Sequence, residues 1–115
     1  MNREELVKEI RERLGGFYGD DLNTVAQLLG QWSQIQGFSC SWENVPEKLM
    51  LIVTELAEAM EAYRNNDLSN FEEEIADVAI RTFDLCGRLR IDLREQMAQK
   101  MEKNFQRPYM HGRKC

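Results

Sequence analysis

A chain of 115 residues with 43% hydrophobic and 30% charged residues has the proportions of one globular domain, read here as spanning 1–115. Its net charge of −5 argues against a broad duplex-binding surface, and no segment approaches the roughly 20 apolar residues of a membrane span, so neither nucleic acid nor membrane is expected as a partner. Cys40, Cys86 and Cys115 lack C-x-x-C spacing and fit reduced thiols, and "MNREELVKEIRERL" lacks an apolar leader, so a cytoplasmic location is expected.

Two prolines and repeated three/four spacing predict an all-helical protein. "EELVKEIRERL" puts Leu6, Val7, Ile10 and Leu14 on one face of a short helix that "GG" stops. "DLNTVAQLLGQWSQIQ" aligns Leu22, Val25, Leu29 and Trp32, with Gly37 as the end signal. "GFSCSWENVP" reads as a loop exposing Phe38 and Trp42, and Asn44, Pro46 and Glu47 resemble the next helix start. That helix should run from about Pro46 to Arg64, with a core stripe of Leu49, Ile52, Val53, Leu56, Met60 and Tyr63. After "NNDLSN", Ser69 and Glu72 form a capping box for a helix whose stripe is Phe71, Ile75, Val78, Thr82, Leu85 and Leu89. Asp92 and Glu95 open a last helix, in which Leu93, Met97, Met101 and Phe105 step by four until Pro108 closes it. The expected architecture is an all-α antiparallel four-helix bundle with a short accessory N-terminal helix. A basic tail follows at about 106–115.

Two of these helices carry acid pairs. Glu55 and Glu58 in "TELAEAMEA" are neighbours on one face, as are Glu74 and Asp77 in "EEEIADVAI". Leu51 and Ala62 share the sector of the first pair, and Ala76, Ile80 and Phe83 lie beside Asp77. Both helices are therefore apolar on two sides, as if a second helix or subunit covered them. Four converging carboxylates repel one another unless a proton or cation offsets the charge, and oxygen donors without a Cys or His cluster favour Mg²⁺, or Mn²⁺, over zinc. The plainer alternative is a solvent-facing ladder of Glu74, Asp77, Arg81, Asp84 and Arg88.

Lys100, Asn104 and Arg107 share a face of the last helix, a cationic stripe that suits a polyphosphate beside an acid-bound metal, or that merely complements the helix dipole. Lys48, two turns before Glu55, either reaches a phosphate or pairs with the acids. Trp42, in a polar loop before the first acid pair, is the candidate wall for a stacked nucleobase, while Trp32 is assigned to the core. His111 reads as a surface residue or phosphate contact.

Together "KLMLIVTELAEAMEAYR", "EEEIADVAIRTFDL" and "KMEKNFQRPYMHGRK" resemble the MazG-like branch of the all-α nucleoside triphosphate pyrophosphatases over about residues 46–114. The E-x-x-E and E-x-x-D pairs match its metal motif, and the trailing K-x-x-x-N-x-x-R-P makes the combination specific. The first motif departs from many relatives in having Thr54, Glu55 and Ala57 where they carry a Glu-Glu doublet and a glycine. The resemblance implies a helical homodimer or dimer of dimers that cleaves a nucleoside triphosphate, a dNTP by preference, to monophosphate and pyrophosphate with Mg²⁺. On it, Glu55, Glu58, Glu74 and Asp77 become metal ligands, with Glu55 or Glu58 as base. Lys100, Asn104 and Arg107 become phosphate or sugar contacts on it, while Lys48 and Trp42 are expected as substrate contacts from their positions alone. A non-catalytic helical interaction module, or a related enzyme acting on dUTP or phosphoribosyl-ATP, is the alternative.

Overall fold

The computed structural model describes residues 1–6, 8–9 and 21–108. Four helices follow one another: α1 (Leu22–Ile35), α2 (Val45–Arg64), α3 (Leu68–Leu89) and α4 (Leu93–Phe105), with a 3₁₀ turn at Trp42–Asn44 before α2. No strand occurs among the described residues. Residues 3–6 are also helical, and Leu6 is fully buried, but Val7, Ile10, Leu14, the "GG" stop and the tail from Tyr109, including His111 and Cys115, lie outside the described residues.

Aspartates open three of the four helices. Asp21, Asp67 and Asp92 each accept a hydrogen bond from a first-turn amide, those of Asn23 (2.9 Å), Asn70 (3.1 Å) and Glu95 (3.1 Å). The Asp92 start agrees with the sequence pattern, whereas the expected Ser69–Glu72 box is not used. The left-handed Asn66 (φ 54°) turns the chain first, so Asp67 takes the cap and Ser69 already lies inside α3. Gly37 adopts φ 94° just past α1, the conformation that ends a helix at least cost to glycine.

Helix α3 is the central element. Ala26 of α1 packs against Gly87, Gly30 against Arg88, and Ser33 against Asp84, so α1 and α3 run antiparallel. A Cβ at Gly87 would land on the carbonyl oxygen of Ala26; only glycine permits this approach. On the other flank, α2 folds back along α3 through the turn Asn65–Asp67, and Glu55 reaches Arg81 across the pair.

The face that α2 turns inward is not the expected one. Glu55, Ala59 and Ala62 are buried, while Leu49, Val53, Leu56 (48% exposed), Met60 (51%) and Tyr63 (70%) face outward. Of the stripe assigned to the core only Ile52 is half-buried; the other five are exposed among the described residues, as is Ile75 of α3. The small side chains Ala59 and Ala62 let α2 approach α3 closely, and the bulky row lies roughly 110° round the helix. The sequence pattern held two apolar sides, and close packing chose the one with alanines.

Helix α4 has no buried residue, and Met97, Met101 and Phe105 are exposed. Its start is fixed to α1 by Asn23, whose Nδ2 donates to Asp92 (2.7 Å) and whose Oδ1 accepts from the Arg94 amide (3.2 Å). The row Met97, Met101, Phe105, expected in the core, is therefore another outward face. None of the described helices is long and apolar enough to cross a membrane.

Candidate metal centre

Glu55 and Glu58 lie on α2 and Glu74 on α3, and the antiparallel pairing of these helices brings all three together. One carboxylate oxygen from each lies within 4.8 Å of the other two. Glu55 is buried (7% exposed), Glu74 is half-buried and Glu58 is open to solvent. Asp77, the fourth predicted ligand, sits one turn beyond Glu74 and is not in this group; it lines a neighbouring cavity together with Glu55.

Glu55 is held by Arg81, whose Nε donates to its Oε1 at 2.8 Å. The acids then divide in protonation. Hydrogen bonding with Glu74, helped by Arg81, holds the Glu55 carboxyl below its usual range. Hydrogen bonding with Glu55, reinforced by burial and by Glu58, pushes Glu74 up to about 7. A proton shared between the two rests on Glu74, the expected outcome when like charges meet and only one has a cation beside it.

The second oxygen of Glu74, Oε2, is shielded from solvent and has no hydrogen-bond partner. A polar atom left in that state is costly unless something completes it. The donor set is all carboxylate oxygen, without Cys or His, so the residues fit a hard divalent cation such as Mg²⁺ or Mn²⁺.

Two cavities flank the acids. One, of about 370 Å³, is lined by Glu58, Glu61, Asn65, Asn70 and Glu74. The other, of about 260 Å³, runs between α1, α2 and α3; Glu55, Asp77 and Arg81 form one end, and Trp32, Phe38, Lys48 and Asp84 are among its other walls. Lys48 lies over the Phe38 ring, its Nζ 5.8 Å from the centroid.

The other predicted site residues are placed differently. Lys100, Asn104 and Arg107 sit on or just past α4 and line neither cavity. Asn104 Oδ1 is shielded without a partner. Trp42, chosen as a stacking wall, is 77% exposed and outside both cavities, whereas Trp32, assigned to the core, lines the smaller one. Position in a polar loop favoured Trp42; Trp32 lies on α1 next to the buried Ser33 and lines the cavity with it.

The row Glu74, Asp77, Arg81, Asp84, Arg88 is no solvent ladder. All five are half-buried, and its bonds run across helices: Arg81 to Glu55, Asp84 Oδ1 accepting from Ser33 Oγ (2.6 Å), and Arg88 Nη1 donating to Ser33 Oγ (2.7 Å). Arg81, Ser33 and Asp84 were not read as site residues. The signal was the i, i+3, i+7 register of Arg81 and Asp84 with the acids of α3.

No protein-family model matches the chain, and no curated protein or solved structure matches it either.

Proposed function

We propose that the protein is a Mg²⁺-dependent nucleotide pyrophosphohydrolase that cleaves a nucleoside triphosphate, with a dNTP as the expected substrate, to the monophosphate and pyrophosphate. The observation that carries this is the meeting of Glu55, Glu58 and Glu74, of which Glu74 keeps one shielded, unpartnered carboxylate oxygen, beside a cavity of about 260 Å³. Mg²⁺ or Mn²⁺, when bound, would supply Lewis-acid activation of a water and charge screening for the triphosphate. Glu55, Glu58 and Glu74 would hold it, with Asp77 one turn away for a second ion.

Within that site Glu55 is a weak base, because hydrogen bonding with Glu74 and then with Arg81 stabilises its carboxylate. Glu58 is the solvent-open carboxylate and is assigned to accept the proton of the water that attacks the α-phosphorus. Arg81, 41% exposed at its side chain, stands where it can also donate to a phosphate oxygen. Lys100 and Asn104 lie on α4, whose Met97, Met101 and Phe105 face outward, and Arg107 follows its end; in this proposal they reach phosphate in an assembled homodimer or dimer of dimers.

The assembly is supported by the outward stripe Leu49, Val53, Leu56, Met60 and Tyr63 with Ile75. The same stripe favours one other reading, a non-catalytic module that binds a partner helix. Pyrophosphate release from a panel of dNTPs, NTPs, dUTP and phosphoribosyl-ATP, with and without Mg²⁺, separates the two. Turnover should require Mg²⁺ and be abolished in Glu58→Gln with unchanged circular dichroism. Full activity in that variant removes the proposed centre, and no turnover on any substrate leaves the module.

A further inference from the structure

A groove of about 620 Å³ lies between α1 and the end of α3, and it shares no lining residue with the two cavities at the acids. Its walls are of a different chemistry. Gln27, Gln31 and Gln34 stand at i, i+4 and i+7, so one face of α1 presents a row of side-chain amides, each both donor and acceptor. Arg88, in the last turn of α3, and Arg90, just past it, line the same groove, and Asp92 is the one carboxylate among its described walls. No aromatic ring is among them, so the groove has no stacking surface for a base.

The two cations are available to a ligand. Arg88 is half-buried, yet among the described residues neither arginine is ion-paired, and Arg88 Nη1 donates to the neutral hydroxyl of Ser33 at 2.7 Å. Gly30 gives the Arg88 stem its path across α1, since a Cβ there would come within 3.2 Å of Arg88 Cδ. Asp92 Oδ1 is engaged already, accepting from Asn23 Nδ2 (2.7 Å) and the Glu95 amide (3.1 Å). In a chain of net charge −5, the groove thus sets two free guanidinium groups against one occupied carboxylate. A half-buried cation with only a neutral partner is stabilised by an incoming anion.

We propose that this groove binds a sugar phosphate, at a site separate from the acid cluster. Arg88 and Arg90 hold the phosphate, whose oxygens accept from the guanidinium forks. The glutamine row holds the hydroxyls, which donate and accept as the amides do.

The test is calorimetric titration of the full chain in EDTA, with ribose 5-phosphate, inorganic phosphate and ribose as probes. Without a cation the acid cluster repels anions, so binding under these conditions is independent of any Mg²⁺-dependent turnover, which is measured separately. Ribose 5-phosphate should bind about tenfold or more tightly than inorganic phosphate, and ribose alone should not bind measurably. Arg90→Gln, at an exposed position past α3, should weaken ribose 5-phosphate about tenfold or more with unchanged circular dichroism and melting temperature. Gln31→Ala should weaken ribose 5-phosphate and leave inorganic phosphate unaffected. Absence of ribose 5-phosphate binding, or binding that Arg90→Gln leaves intact, overturns the site. Equal affinity for ribose 5-phosphate and inorganic phosphate overturns the sugar phosphate as its ligand, and the hydrolase proposal stands or falls apart from either result.

Discussion

If the proton between Glu55 and Glu74 rests on Glu74 at a pKa of about 7, it must leave before that carboxylate can bind a cation. The available fraction is then about one half at pH 7, about one tenth at pH 6 and about nine tenths at pH 8. Apparent Mg²⁺ affinity of the wild-type protein should therefore fall about tenfold from pH 8 to pH 6, most of it below pH 7. Calorimetric titration at pH 7 in two buffers of different ionisation enthalpy should show about half a proton released per ion. Glu74→Gln should bind weakly with no pH dependence in this range. An affinity that is flat between pH 6 and pH 8, or binding without proton release, would refute the shared proton.

The sign reverses for the stability of the metal-free protein. The folded-state pKa of Glu74 lies above its ordinary 4.5, so its contribution is complete below about 4.5 and is lost as pH rises through about 7. Glu55 is shifted the other way, so its contribution is lost only as pH falls toward the acid range. The melting temperature without cation should consequently decline from about pH 5 to pH 8, and added Mg²⁺ should offset the decline most at the upper end.

Other variants test the packing. Gly87→Ala drives a methyl onto the Ala26 carbonyl and should cost about 1–3 kcal/mol in urea denaturation; wild-type stability would contradict so close a crossing of α1 and α3. Arg81→Met strands the buried Glu55 charge, and since Arg81 is partly exposed the loss should be about 1–3 kcal/mol, partly restored by Mg²⁺; no loss would mean the ion pair holds nothing. Leu56→Asp with Met60→Lys places charges in the outward stripe, and light scattering should show the wild-type assembly reduced to single chains. A monomeric wild type would remove the stripe as an interface.

The four helices α1–α4 were legible in the sequence, because spacing, the Asp92 cap and the Gly37 stop are local signals, whereas the Asp21 and Asp67 caps were not read. Three of the four acids expected to gather do so when the hairpin closes, Glu55, Glu58 and Glu74, while Asp77 falls outside the group. Local pattern could not rank two apolar sides of one helix. That choice depends on which side a neighbour can approach, and Ala59 and Ala62 let α3 come close where Leu56 and Met60 would hold it off. Tertiary packing likewise moved Trp32 into the cavity, left Trp42 in solvent, and turned a presumed surface ladder into cross-helix bonds from Arg81 and Asp84. Periodicity tells which residues share a face, and only the fit between faces decides what that face meets.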